Sequence, residues 1–314
     1  MIDYPFDEMI GKEVVSSERL PGGINNPSYK VRCSDGESFV VQIVGEKFPD
    51  KIQRERRNVE LMKKAGIPVP EIVSWDESGE VIQEKYLVKE YMGRDLKERK
   101  SEIRVSEARE IYSQLGKIYT DMHSITFENF GRIEKKNGDF KAVGSYESYR
   151  NFILEEFNKW LERGKDTPFE DKIPQLKEWL DKNSYIFDCE IKPRLIHNDF
   201  SPENIIVEED EVKSIIDLDV VRAGNNIFDV YRVYNHFDGK EKSEAAVEAF
   251  FNNYSVELPD NYGQQIEFFN LVHPLAYIDC WKQIEENYSP EDLREMESFI
   301  MGSIREILNS SFDK

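Results

Sequence analysis

The chain has little of what marks a membrane or secreted protein. None of its apolar runs reaches the roughly 18–20 residues that a helix needs to cross a bilayer. Its first residues, MIDYPFDEMIGKEVV, are acidic where a signal peptide would be basic, and they lack a long apolar centre. We therefore expect a cytoplasmic protein that has no membrane partner.

Cysteine is also scarce. Cys33, Cys189 and Cys280 are far apart in the sequence, and none has a second cysteine at the CxxC spacing. An odd number of widely separated cysteines favours neither a disulfide framework nor a zinc site.

Basic residues are few relative to acidic ones. The 314 residues include 42 Lys and Arg against 62 Asp and Glu, which gives a formal net charge of −20. Nucleic-acid binding needs patches of Lys and Arg, so this balance argues against a nucleic-acid partner. It is compatible with a small cationic substrate drawn in by a negative field, although solubility alone explains the charge equally well.

The order of elements predicts a two-lobed α+β protein, since 314 residues are many for one core. The first ninety residues read as a β-rich unit with one charged amphipathic helix at 51–65. After Gly93 the pattern becomes mostly helical, and residues 106–123 have a strong amphipathic helical spacing. We place the boundary between a nucleotide-binding lobe, 1–91, and a catalytic and acceptor-binding lobe, 92–314. The predicted strands are Val14–Leu20, Tyr29–Arg32, Phe39–Val44, Ile72–Trp75, Tyr86–Tyr91, Ile205–Val207 and Ser214–Ile216.

One polar loop carries the chemistry. Residues 194–207 read RLIHNDFSPENIIV, and a hairpin of 205–207 with 214–216 would bring Asp217 back beside Asn204. Carboxylate and amide oxygens are the ligands that Mg²⁺ prefers, so Asn204 and Asp217 are predicted metal ligands. Asp199 would lie near the same point, free to accept a proton from an incoming hydroxyl. The alternative is an ordinary turn, since Asn, Asp, Ser and Pro are common turn residues.

The spacing D-x-x-x-x-N with a later Asp is the catalytic-loop pattern of kinases. Protein kinases would show H-R-D, D-F-G and A-P-E, whereas this chain has HNDFSPEN and IDLD. With GIPVP at 66–70, KEYMG at 89–93, LG at 115–116, MHSI at 122–125 and AGNN at 223–226, the chain resembles the aminoglycoside phosphotransferase and choline-kinase-like small-molecule kinases. The resemblance implies a bilobal protein-kinase-like fold and ATP or GTP as co-substrate with Mg²⁺.

The resemblance also implies a nucleotide site. It suggests that a glycine-rich loop covers the phosphates, that a helix glutamate lies near them and that the hinge between lobes binds the base. The third strand of the family usually carries Lys or Arg at its centre, and here Gln42 stands in that place. The implied nucleotide-binding residues are Gly22, Gly23, Asn25, Asn26, Ser28, Gln42, Glu55, Glu90 and Met92.

The acceptor site is less well defined by the sequence. In the family that the chain resembles it is built by C-terminal helices, which points to Asp279, Trp281 and Glu285. Aromatic faces and carboxylates suit an amino sugar or a quaternary amine. The alternative is that Trp281 is a core residue and the acidic residues form a solvated face.

Four further residues near these motifs have predicted roles. His197 is expected to brace the catalytic loop, and His123 to be a packed or capping histidine beside it. Asp219 is either a further metal-site residue or a cap, and Asp229 is expected to be structural.

These observations predict a kinase that transfers the γ-phosphoryl group of ATP or GTP to a hydroxyl of a small molecule. An aminoglycoside is the leading acceptor, and homoserine, choline, methylthioribose or a hexosamine are alternatives. A second hypothesis is a kinase-fold protein that binds nucleotide without catalysis, which Gln42 allows. The sequence leaves open the oligomeric state and the choice between ATP and GTP.

Overall fold

The computed structural model of the chain describes residues 4–21, 26–45, 49–144, 146 and 148–312. The strands are β1 Val14–Arg19, β2 Ser28–Cys33, β3 Ser38–Val44, β4 Ile72–Asp76, β5 Lys85–Glu90, β6 Gly131–Lys136, β7 Asp139–Val143, β8 Arg194–Ile196, β9 Ile205–Glu208, β10 Glu211–Ile215 and β11 Arg222–Gly224. The helices are α1 Phe6–Ile10, α2 Lys51–Lys64, α3 Leu96–Arg99, α4 Val105–Ser124, α5 Tyr149–Arg163, α6 Ile173–Asn183, α7 Ile227–Val230, α8 Lys240–Asn253, α9 Tyr262–Val272, α10 Ala276–Asp279, α11 Trp281–Asn287 and α12 Pro290–Asn309.

These elements form two compact units. The first comprises Met1–Met122, Asp199–Val221 and Tyr234–Ser255, and the second comprises His123–Asn198, Arg222–Val233 and Val256–Lys314. The predicted functional division into residues 1–91 and 92–314 stays a prediction.

A five-stranded sheet dominates the first unit, with the antiparallel order β1-β2-β3-β5-β4. Residues alternate between its two faces because side chains in a strand point to opposite sides. One face packs Val41 and Val88 against the apolar residues of α1. The other face carries Val44 and Leu87, which pack against Ile52 of α2. The sheet therefore holds α2 on one defined face.

The first unit also contains the β9–β10 hairpin and the long helix α4. A side-chain carbon added at Gly116 of α4 would lie 2.5 Å from the backbone oxygen of Phe250 in α8. Glycine is therefore required where these two helices approach each other, which gives a physical reason for the Leu115-Gly116 motif.

The second unit combines a small sheet with a large aromatic core. Its strands follow the order β7-β6-β11-β8. The core includes Phe157, Phe187 and Phe268, all buried, with ring centroids of Phe187 and Phe268 4.9 Å apart. Helices α5, α6, α9 and α12 each contribute apolar side chains to it.

The predicted α+β class is confirmed, with β-rich N-terminal and helical C-terminal parts. The predicted strands of the N-terminal part and the helices at 51–65 and 106–123 are confirmed to within two residues at each end. The hairpin β6–β7 was not predicted. Its turn is Asn137-Gly138, where both residues have positive φ, of 54° and 89°. Asn-Gly is a strong hairpin signal, so the sequence did contain the evidence for it.

Candidate active site

Phe200 anchors the predicted catalytic loop, HNDFSPEN at 197–204. Its ring stacks on Tyr119 of α4 with centroids 3.9 Å apart, and both side chains are buried. Its backbone oxygen accepts a hydrogen bond from Nε2 of His236 at 2.9 Å, and His236 Nδ1 lies 2.5 Å from the hydroxyl of Tyr112. The apolar residue next to Asp199 therefore fixes the backbone from which that carboxylate projects.

Asp199 and Asn204 lie together, as the loop spacing predicts. The amide nitrogen of Asn204 donates to the backbone oxygen of Asp199 at 3.0 Å and to its Oδ2 at 3.1 Å. A short 3-10 turn at Pro202–Asn204 brings the two residues within reach across five positions. Because the nitrogen faces Asp199, the amide oxygen of Asn204 is the atom able to face a cation.

Asp217 is brought beside Asn204 by the β9–β10 hairpin. Ile205 pairs with Ile215, and the Ile216 backbone amide donates to the backbone oxygen of Asn204 at 3.0 Å. Asp217 then adopts a left-handed conformation with φ of 58°, which turns the chain sharply after the strand. Its carboxylate is 42% exposed, so it remains accessible to a ligand.

Helix α2 holds the segment that follows. Asn58 donates its amide to the backbone oxygen of Leu218 at 2.6 Å. Lys51 Nζ lies 2.9 Å from Asp219 Oδ2 and 3.6 Å from Asp217 Oδ1. Burial alone would lower the pKa of Lys51, but the two carboxylates outweigh it, and the net effect is a raised pKa. Lys51 is therefore a buried cation beside a predicted metal ligand.

In the second unit, Asp229 holds the backbone just before Asp199 in the chain. Its carboxylate accepts hydrogen bonds from the amides of His197 at 2.7 Å and Asn198 at 2.8 Å. It also lies 3.0 Å from Nε2 of His123, and both side chains are fully buried. Burial lowers the pKa of His123, so the imidazole is neutral and donates to Asp229. Asp229 and His123 thus have the structural contacts that the sequence led us to expect.

Part of the predicted nucleotide site lies together on β2 and β3. Ser28 pairs with Gln42 across the two strands, and their side chains are 3.5 Å apart. Asn26 accepts a hydrogen bond from the Gly45 amide through its Oδ1 at 3.2 Å. Gly22, Gly23 and Asn25 lie outside the described residues.

Glu55 forms a buried ion pair with a lysine of β5, a partner that the sequence did not indicate. Lys89 Nζ of β5 lies 2.5 Å from Glu55 Oε1, and the two side chains are 10% and 2% exposed. Glu90 ends β5, and Met92 and Gly93 follow. Gly93 has a φ of 122°, a region that disfavours any side chain, so the chain can turn at the end of the hinge segment.

The acceptor candidates lie in the second unit. Asp279 is paired with Arg163. Trp281 is buried, packs edge-on against Phe169 with centroids 4.9 Å apart and donates its ring N–H to Glu285 at 2.7 Å. Trp281 therefore has the contacts of a core residue. An acceptor role for these residues remains a prediction.

Sequence reasoning missed Lys51, Lys89 and His236. Lys51 begins a helix in which it stands one turn before Glu55, and this i, i+4 spacing was a usable signal. Lys89 and His236 reach their partners only through tertiary contacts, 34 and 36 positions away in the sequence.

The chain is similar to known proteins in sequence and in fold. The model of the phosphotransferase enzyme family, APH, matches residues 16–264. A thermostable mutant of aminoglycoside phosphotransferase APH(4)-Ia, in a ternary complex with ADP and hygromycin B, is 15% identical, with a TM-score of 0.68 and 98% of each chain covered. The streptomycin–ATP complex of APH(2")-IIa is 16% identical, with a TM-score of 0.65 and coverage of 98% of this chain and 99% of that one.

A candidate fructosamine-3-kinase from Thermobifida fusca YX-ER1 is 16% identical, with a TM-score of 0.64 and 97% of each chain covered. Among curated proteins, mouse acyl-CoA dehydrogenase family member 10 is 22% identical over 222 residues, which are 66% of this chain. The chain matches only 19% of the length of that relative.

Fold and sequence together define a kinase-like phosphotransferase. The chain belongs to the phosphotransferase enzyme family, and the predicted protein-kinase-like fold is confirmed. The predicted enzyme class, a phosphotransferase with an alcohol group as acceptor, is confirmed at the level of this family. No helix in the described ranges is both long and apolar enough to cross a membrane.

Proposed function

We propose that this kinase transfers the γ-phosphoryl group of ATP or GTP to a hydroxyl of a small cationic acceptor, and that an aminoglycoside is the first acceptor to test. The observation that carries the proposal is the contact of Asn204 with Asp199 at 3.1 Å, next to the backbone bond that brings Asp217 to the same turn. A proton acceptor and two hard oxygen donors then share one short stretch of chain.

Asp199 is the proposed base. In the transfer, the acceptor oxygen forms a bond to the γ-phosphorus, and the bond from that phosphorus to the bridging oxygen breaks. The nucleoside diphosphate leaves with the bridging oxygen, and Asp199 takes the hydroxyl proton. The bond from Asn204 orients the carboxylate for this step, since it fixes Oδ2 relative to the loop backbone.

The residues present fit Mg²⁺. Asn204 has its amide oxygen directed away from Asp199, and Asp217 has a partly exposed carboxylate. Mg²⁺ usually takes one or two carboxylates and completes its coordination with water and substrate phosphates, so a small donor set suffices. When bound, the ion would neutralise charge on the transferring phosphoryl group. Asn204 and Asp217 would hold it.

The nucleotide is proposed to lie along the sheet face and the hinge. Asn26, Ser28 and Gln42 are neighbours there, and Gly22, Gly23 and Asn25 precede them in the sequence. The backbone from Glu90 to Met92 is the proposed site for the base. Glu55 is the proposed residue of α2 nearest the phosphates. ATP is supported by the ATP-bound aminoglycoside kinase among the structural neighbours.

The acceptor is proposed from charge and family together. A net charge of −20 attracts cations, and two structural neighbours hold hygromycin B or streptomycin. Asp279, Trp281 and Glu285 are the proposed acceptor residues, which places the acceptor on the C-terminal helices. A fructosamine-like sugar is a second acceptor class, suggested by the candidate fructosamine-3-kinase. Homoserine, choline, methylthioribose and hexosamines complete the test set.

A coupled assay of nucleotide consumption tests the proposal. ATP and GTP are each combined with Mg²⁺ and a panel of aminoglycosides, amino alcohols, ketosamines and free sugars. Consumption stimulated by an aminoglycoside supports the full proposal, and stimulation by another member keeps the mechanism and replaces the acceptor. If nucleotide binds but no acceptor is phosphorylated, the result supports the second hypothesis, a nucleotide-binding protein without catalysis. Gln42 in place of the usual Lys or Arg is consistent with that hypothesis.

A further inference from the structure

A buried lysine lies on β5, whereas β3 carries no basic residue. The sequence of β3, SFVVQIV, contains no lysine or arginine. Lys89 on the neighbouring strand β5 places its Nζ 2.5 Å from Glu55 of α2, and both residues are buried. A buried ion pair is costly to desolvate, so its presence calls for an explanation other than stability.

The register of the sheet puts Lys89 beside Gln42. Lys89 pairs with Val40 and Leu87 pairs with Gln42, so all four side chains point to one face. Leu87 packs against α2 from that face. Lys89 and Gln42 are diagonal neighbours across the two strands, a separation that long side chains span.

Two acceptor atoms in this cluster have no hydrogen-bond partner within the described part of the chain. They are Oε1 of Gln42 and Oε2 of Glu55, and both are buried. Buried polar atoms are normally paired, and these two acceptors need donors. Water molecules that accompany a bound ligand can supply them.

The same helix connects this cluster to the predicted metal site. Lys51 and Glu55 are one turn apart on α2, and Lys51 lies against Asp217 and Asp219. The negative charge of Glu55 contributes to the raised pKa of Lys51, which places the two side chains in one electrostatic group. Charges therefore alternate from Asp217 through Lys51 and Glu55 to Lys89.

We infer that Lys89 supplies the cation that binds the nucleotide phosphates, with Glu55 positioning it, so that the charge is delivered from β5 across the sheet rather than from β3. The inference rests on the proposed function. An ammonium group has three N–H donors, and the bond to Glu55 uses one of them, which leaves donors for phosphate oxygens.

The first experiment compares K89M with K85M. Lys85 lies on the same strand and the same face, four residues away, and pairs with Glu77 and the backbone oxygen of Pro49. We expect K89M to raise the dissociation constant of Mg–ATP about 10- to 100-fold, because a charge-assisted hydrogen bond is lost. Displacement of a fluorescent nucleotide measures this constant. K85M should stay within about twofold. Wild-type affinity in folded K89M would overturn the inference.

The second experiment transfers the lysine from position 89 on β5 to position 42 on β3. In Q42K/K89M the lysine comes from β3, on the face of the sheet that packs against α2. We expect this variant to bind Mg–ATP at least about tenfold more tightly than K89M. A purely structural role of Lys89 would instead lower the thermal stability of K89M and leave nucleotide affinity unchanged.

A third comparison covers the case in which K89M fails to fold because Glu55 is left unpaired. E55Q and E55Q/K89M both lack the buried carboxylate, so their difference isolates the ammonium. We expect E55Q/K89M to bind Mg–ATP about tenfold more weakly than E55Q. Equal affinities in the two variants would overturn the inference.

These binding measurements separate the two claims. If the wild-type protein binds Mg–ATP but phosphorylates no acceptor, the proposed function fails while the affinities still decide the role of Lys89. If the wild type binds neither Mg–ATP nor Mg–GTP, both claims fall.

Discussion

At the scale of single residues, Asp199 is the proposed catalytic base. D199N keeps the shape of the side chain and can still bond to Asn204, but it cannot accept a proton at neutral pH. We expect kcat to fall by about 10²–10⁴-fold with the thermal midpoint unchanged within about 2 °C. Steady-state kinetics of the accepted substrate measure this.

The matched control is D210N, an exposed aspartate in the turn of the same hairpin. It should leave kcat unchanged. Near-normal turnover in D199N would rule out Asp199 as the base.

His273 makes stability depend on pH. Burial, together with the neighbouring guanidinium of Arg232, lowers the pKa of His273 to about 4 from an ordinary value of 6.5. The folded protein therefore keeps this ring neutral while the unfolded chain takes up a proton as pH falls below 6.5. Stability contributed by the neutral ring is lost as pH falls from about 6.5 towards about 4, amounting to about 2–3 kcal/mol.

Urea unfolding at several pH values checks this in the wild type and in H273Q. The slope of unfolding free energy against pH should be shallower in H273Q across that window. Identical slopes would show that His273 does not titrate as described.

At the scale of elements, Asp229 holds the backbone of His197 and Asn198, which precede Asp199 in the chain. Its carboxylate accepts from two backbone amides and from His123, all buried. In D229N an N–H₂ group replaces one acceptor and faces a donor. We expect the unfolding free energy to fall by about 2–3 kcal/mol, measured by chemical denaturation.

The control for this change is D188N, since Asp188 pairs with Arg150 on the surface of the same unit. It should cost less than about 1 kcal/mol. Equal losses in the two variants would contradict a special role for Asp229.

The elements also show what the sequence could and could not predict. The hairpin of β9 and β10 follows from two β-branched runs with a polar turn, and it brings Asp217 to Asn204 as expected. Local spacing was enough because the residues lie within twenty positions. The role of Lys89 could not be predicted from local spacing. Its ion pair with Glu55 depends on the register of the sheet and on the face that α2 covers.

At the scale of the whole molecule, the net charge of −20 should act on the acceptor. A negative field speeds the encounter with cations, and salt screens it over about 10 Å at 0.1 M. We expect KM for a cationic acceptor to rise several-fold between about 0.05 and about 0.5 M salt, while KM for a neutral acceptor stays nearly constant. Kinetics at constant pH and Mg²⁺ measure this. A flat profile for the cationic acceptor would leave solubility as the explanation of the charge.

The central claim is that Asp199, Asn204 and Asp217 form one site for phosphoryl transfer to a hydroxyl. The most direct test is phosphorus NMR of reaction mixtures that contain Mg–ATP or Mg–GTP, the acceptor panel, and either wild-type protein or D199N. The account predicts a phosphomonoester signal from one acceptor with the wild type and none with D199N over the same time. Equal phosphomonoester from both proteins, or from neither while nucleotide is bound, would contradict it.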